Sequence, residues 1–166
     1  MEDEKRVRAL ETEIEALEKE VRHLVDMDDI HNLRLAYYSL VNEDRLDEAA
    51  ALFTDDAVVD FGNKLGRAQG KAEIRKKLAT LKSQFIKIFP HNHVVEIDGD
   101  RADGHLFIEG RLIVDATSFV TAGKVTDTYV RENGRWLIKS MVGEIFYAGT
   151  LAEGWAELPN RPHASP

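Results

Sequence analysis

The stretch YSLVNEDRLDEAAALFTDDAVVDF, Tyr38–Phe61, decides the fold. It reads as the end of one helix, a short second helix EAAALF introduced by Asp47, a turn at TDDA, and a strand VVDF aimed inward. Upstream, Ile30, Leu33, Tyr37, Leu40 and Val41 share one face of a helix that Asp28 or Asp29 can cap. Downstream, Gly70 precedes the amphipathic run KAEIRKKLATLKSQF, whose buried side carries Ile74, Leu78, Leu81 and Phe85.

Beyond residue 88 the apolar period changes to that of strands. HVVEID, GHLFIEGRLIV, FVTAGKVTDTYV and RWLIKSMVGEIFYA read as four strands joined largely by hairpins, with turns at GDRAD and RENG. Helices followed by such a meander imply an α+β domain, with helices packed in the concave face of a curved antiparallel or mixed sheet. Long strands coiling around helices form a cone, and a cone of this size has room for one small apolar ligand.

Ahead of this unit, Val7, Leu10, Ile14, Leu17, Val21 and Leu24 fall at alternating spacings of three and four, a heptad seam over three repeats. β-branched residues at a and Leu at d favour two strands in a parallel coiled coil. Residues 1–26 hold nine acidic and five basic side chains, a net -4 that is half of the chain's total of -8. The seam reads either as a self-association handle or as a stripe lying on its own domain. The expected organisation is a heptad helix over 1–26, the α+β domain over 27–148, and a tail over 149–166 whose Leu151, Trp155 and Leu158 could cover the cone's mouth or a neighbouring subunit.

The whole-chain totals narrow the function. With 166 residues there is one core of ordinary size, and a pI near 5.3 argues against nucleic acid and anionic membrane partners. Without cysteine there is no disulfide, no thiolate nucleophile and no Cys-based metal site. An acidic N-terminus and the lack of a long apolar run make a cytoplasmic location the default expectation.

DIHNLRLAYYSLVNEDRLDEAAALFTDDAVVDF, GKAEIRKKL, NHVVEIDGDRADG and DTYVRENGRWLI together resemble a SnoaL-like member of the nuclear transport factor 2-like superfamily. The resemblance implies a helix-lined conical pocket and a dimer or trimer. In dehydratase and dehydrochlorinase members it also implies a helix Asp paired with a strand His, a buried Tyr assisting the leaving group. Such a pair suits removal of a carbon-bound proton beside a leaving group.

Carried over by position, Tyr37 matches the Tyr, but Asn42 stands at the Asp position and Ile88 at the His position. A further acidic position falls on Gly110 and a basic one on Met141. Asn42 therefore reads as an oxyanion or substrate-orienting donor, or else as a helix-end Asn bonding its own backbone. His91 and His93 lie near the family His position; a bulge after Pro90 would let one face inward, whereas alternation from Ile88 would turn Asn92 inward and both His outward. Tyr38, Val59, Phe61, Ile88, Asn92, Gly110 and Met141 are the expected lining, and Glu109 and Arg111 then project from the opposite face. No phosphate-loop, dinucleotide, serine-hydrolase or zinc-protease motif is present, which leaves cofactor-independent chemistry; the resemblance then implies a lyase or isomerase acting on an apolar cyclic molecule. A non-catalytic binding protein of this fold and an assembly module built on the heptad helix are the alternatives.

Overall fold

The computed structural model describes residues 1–62, 66–80 and 85–154. A single helix α1, Glu2–Asn42, runs 41 residues without interruption. The break expected near Asp28 does not occur. No Gly or Pro stands between Glu2 and Asn42, and Asp28, instead of capping, accepts a hydrogen bond from Asn32 one turn on. Acidic Glu2, Asp3 and Glu4 suit the positive end of the helix dipole.

After a tight turn through Asp44, α2 (Leu46–Ala51) leads into β1 (Phe53–Asp60). The expected turn at TDDA is instead the start of this strand, because Asp56 is held by Lys139 and Thr54, and Asp55 pairs with Lys71 at 2.9 Å. Asp47 does not cap α2; it pairs with Arg75 of the next helix. A short strand that the sequence did not announce, β2 (Arg67–Gln69), pairs antiparallel with β1 and precedes α3 (Lys71–Ala79). Ile74 and Leu78 of α3 are buried as expected. Phe85 is not; it lies beyond the helix and is exposed, and Leu81 lies outside the described residues.

Four long strands follow: β3 (Ile86–Asp98), β4 (Arg101–Val114), β5 (Thr117–Glu132) and β6 (Arg135–Thr150). They form an antiparallel meander, and β1 adds to β6 in parallel, giving one mixed six-stranded sheet in the order β2-β1-β6-β5-β4-β3. The C-terminal half of α1 packs on its inner face, where Ile30, Tyr37, Tyr38 and Val41 meet Phe53, Leu106, Val125, Ile138 and Met141 in one core. Asp26 fixes the helix to the sheet. Its carboxylate is buried, accepts hydrogen bonds from Arg131 at 2.6 Å and Trp136 at 3.2 Å, and is held below the usual carboxylate range chiefly by the Arg131 bond.

Before Asp26 none of the described residues covers the helix. Val7, Leu10, Ile14, Leu17, Val21 and Leu24 are each 50–59% exposed, so the seam does not lie on its own domain. Leu151 is also exposed, while Trp155 and Leu158 lie outside the described residues.

Candidate functional site

Inward positions on β5 alternate as Val125, Asp127 and Tyr129, so a carboxylate is carried into an apolar layer. Opposite it, Arg34 stands on the buried stripe of α1, one turn after Ile30 and one turn before Tyr38. Arg34 Nε lies 2.9 Å from Asp127 Oδ2, and both side chains are 1% exposed or less. Arg34 Nη2 also donates to the Tyr38 hydroxyl at 3.1 Å and to Met141 Sδ at 3.2 Å, with the guanidinium over the Tyr37 and Tyr38 rings.

From Asp127 the polar chain continues outward. The Tyr129 hydroxyl donates to Asp127 Oδ2 at 2.9 Å and sits 3.0 Å from His93 Nε2. A hydroxyl has one proton, and a carboxylate only accepts, so His93 must be the donor in the second bond. That assigns the proton to Nε2 and leaves the Nδ1 lone pair available. Burial, then His31, Arg34 and His105, lowers the His93 pKa to about 4, so the ring is neutral at pH 7. The His31 ring lies 4.9 Å from the His93 ring.

Among the described residues, four buried polar atoms here have no hydrogen-bond partner: Arg34 Nε and Nη1, Asp127 Oδ1 and His31 Nε2. Nε is close to its carboxylate but its N–H is misdirected. Groups this deeply buried are ordinarily satisfied, so the cluster is set up to meet water or a polar group of a ligand. Burial pushes the Asp127 carboxyl above its usual range, although Arg34 and Tyr129 pull it down. It likewise pushes the Tyr37 hydroxyl up to about 12, and those of Tyr38 and Tyr129 further.

His93 reaches this network through a bulge. Along β3 three steps, His91 to Val94, pass two along β4, Phe107 to His105, and Asn92 takes a φ of 51°. The extra residue reverses the alternation. His93 turns inward, whereas His91 and Asn92 are exposed, which corrects the expectation that either lines the interior. It also separates His91 from His93, which no longer share a strand face.

Asn42 is not free to orient a ligand. Its Nδ2 donates to the Ile88 carbonyl at 2.7 Å and its Oδ1 accepts from the Ile88 N–H at 2.7 Å, so the amide extends the sheet ladder as a backbone peptide would. Neither an oxyanion donor nor an Asn bonding its own helix end describes it. Asn42→Ala would strand both Ile88 groups in a half-buried strand and should lower the unfolding free energy by about 2–3 kcal/mol in a denaturant titration. A loss below ~0.5 kcal/mol would mean that Asn42 does not hold β3 in solution.

Among the remaining expected lining residues, Val59 and Met141 are buried, Phe61 and Ile88 are half-buried, and Tyr38 is committed to Arg34. Gly110 faces inward, but a Cβ there would sit 2.5 Å from Thr121 Cγ2, so the space of the family's acidic side chain is filled. Glu109 and Arg111 project outward as expected and contact each other at 3.5 Å. The positive charge that the resemblance placed at Met141 arrives instead from Arg34, in contact with the Met141 sulfur.

Sequence reasoning missed Arg34, Asp127, Tyr129 and His31. The signal was there: an Arg on the apolar stripe of a helix and an Asp at an inward strand position are anomalies that ask for each other. A separate cleft of about 580 Å³ lies between α2 and α3, lined by Asp44, Arg45, Asp47, Glu48, Arg75 and Lys76 among others. It shares no residue with the His93 network, and its Arg45 and Arg75 are already paired with Glu48 and Asp47.

Comparison with known proteins supports this fold. The sequence model of the SnoaL-like domain matches residues 22–142. The hexachlorocyclohexane dehydrochlorinase LinA-type3 from Novosphingobium barchaimii LL02 superposes with a TM-score of 0.73 at 19% identity, covering 80% of this chain and 94% of that one. A protein provisionally assigned as a scytalone dehydratase from Novosphingobium aromaticivorans DSM 12444 gives 0.71 at 20% identity, over 76% and 88%. An NTF2-like protein with a cystatin-like fold from Novosphingobium aromaticivorans gives 0.71 at 19%, over 82% and 91%. At such identities the likeness speaks for the fold.

Proposed function

Because the chain belongs to the SnoaL-like domain family, within the NTF2-like fold, we propose that it is a cofactor-independent lyase or isomerase acting on a mostly apolar cyclic small molecule. His93 is the base. The observation that supports this reading is the buried chain Arg34, Asp127, Tyr129, His93, in which His93 Nε2 meets the Tyr129 hydroxyl and Nδ1 is left to face a substrate.

In the proposed step, Nδ1 of His93 takes a proton from a substrate carbon beside a carbonyl, and the electron pair moves into the carbonyl to give an enolate. The imidazolium that forms donates to Tyr129 and is balanced by Asp127. The proton then returns to another carbon in an isomerase, or the enolate expels a β-leaving group in a lyase. Tyr37 serves as hydrogen-bond acid and the unmet N–H of Arg34 Nη1 as the charged donor to the developing oxyanion. The chain would act in the cytoplasm as a homo-oligomer. Among the described residues no helix is long and apolar enough to cross a membrane.

The test is proton exchange in deuterated water with a panel of steroid, polyketide and aromatic ketones, read by mass. His93-dependent uptake of deuterium beside the carbonyl supports the reading whatever group leaves. Binding without exchange favours a non-catalytic binding protein of the same fold, a reading to which Asn42 engaged with Ile88 and Gly110 closed by Thr121 lend weight. No binding at all removes both.

The pH profile follows from the lowered His93 pKa. The active form is neutral, so kcat/KM should be level from pH 7 down to about 5 and fall only as pH drops through about 4, the folded value. Stability follows the same sign. An unfolded His takes up its proton near 6.5, so stability is lost as pH falls from 6.5 to 4, by about 1–2 kcal/mol once its half-exposure is allowed for. His93→Gln should flatten that dependence in thermal melts; an unaltered slope would assign it to other groups.

A further inference from the structure

We propose that the exposed residues 2–25 of α1 pair with a second copy of this chain as a parallel two-stranded coiled coil, independently of any reaction the domain performs. An isolated helix of this length is marginal in water, and this one carries an unbroken apolar seam that its own domain leaves bare. The seam fits a copy of itself. Val7, Ile14 and Val21 at a, with Leu10, Leu17 and Leu24 at d, are the pattern that selects two parallel strands.

Charge complementarity then sets the direction. In a parallel pair each g side chain meets the e side chain five residues later on the partner, which joins Arg6 to Glu11 twice and opposes Glu13 to Glu18 twice. In an antiparallel pair with the seam fully overlapped, e faces e and g faces g. Glu11 then opposes Glu18 and Glu13 opposes Glu20, each twice, and Arg6 loses its acidic partner to Met27. Attraction remains only in the parallel arrangement. The seam ends at Leu24, just before Asp26 is locked to Arg131 and Trp136. The pair therefore joins two domains at one end through helices that continue unbroken into each core, instead of through a flexible linker.

The chain has no cysteine, so a single introduced thiol reports on contact without background. Leu10→Cys should cross-link to its own copy under mild oxidation much faster than Lys19→Cys, which lies at the outward f position. Equal rates would overturn the proposal, as would cross-linking only when Leu10→Cys is mixed with Val21→Cys, the antiparallel pairing. Leu17→Asp should halve the native mass in light scattering while the domain's thermal melt stays unchanged, because Leu17 touches nothing in its own chain's core. An unchanged mass, or a monomeric parent chain, would also overturn it. Glu18→Lys should tighten the parallel pair by replacing repulsion from Glu13 with attraction.

Discussion

Arg34→Met should destabilise the domain by about 3–5 kcal/mol, a large share of an ordinary folding reserve of about 5–15 kcal/mol. The loss comes from the residue left behind. Asp127 would remain nearly inaccessible to water, keeping the Tyr129 hydroxyl as a donor but losing its cationic partner. Asp127→Leu should cost a comparable amount for the mirror reason, since Arg34 would keep its charge among Tyr37, Tyr38 and Met141. The double variant Arg34→Met with Asp127→Leu separates coupling from packing. Charge-free and apolar, it should recover most of the loss, because burying an ion pair is expensive to begin with. Denaturant unfolding of the four proteins gives the coupling energy. Single losses that simply add in the double variant would mean that the two charges do not share one environment.

The second large effect is on rate. His93→Gln should lower kcat for deuterium exchange by about 10²- to 10⁴-fold while ligand affinity stays within a few-fold, because Gln can still donate to the Tyr129 hydroxyl but has no lone pair of comparable basicity. His91→Gln is the control. His91 is exposed on the other side of the bulge, so its loss should leave the rate unchanged. Equal losses in the two variants, or none in either, would remove the base from the network. Tyr129→Phe should produce an intermediate defect with the acid limb of the pH profile moved to lower pH, since the hydroxyl relays Asp127's stabilisation of the imidazolium.

Much of the architecture was legible because it rests on periodicity. The alternation in β4 to β6, the buried stripe of Ile30, Tyr37 and Val41, and the outward Glu109 and Arg111 all follow from side-chain repeat alone. The breaks in periodicity were not legible. Asp28 and Asp29 look like caps, yet a helix already propagating on both sides absorbs them at small cost. Phe85 continues the apolar phase of α3 on paper, but α3 ends at Ala79.

The site shows the same division at higher stakes. Tyr37, Val59, Ile88, Gly110 and Met141 all fall on or toward the interior, as the reading of alternation required. Asn42 was placed correctly at the lip of the sheet and given the wrong work, since only the approach of β3 reveals that its amide completes the strand's ladder.

By itself the sequence determined the helix stripe, the strand alternation, the heptad seam and the absence of thiol chemistry, because each is a property of residues close together along the chain. Tertiary structure alone decided which histidine enters the interior and what it meets there. A one-residue bulge at Asn92 inverts a whole strand face, and Arg34 reaches Asp127 across 93 positions of chain. Local propensity carries no information about either, because both are fixed by the summed requirement that buried charges find partners and buried backbone groups stay bonded.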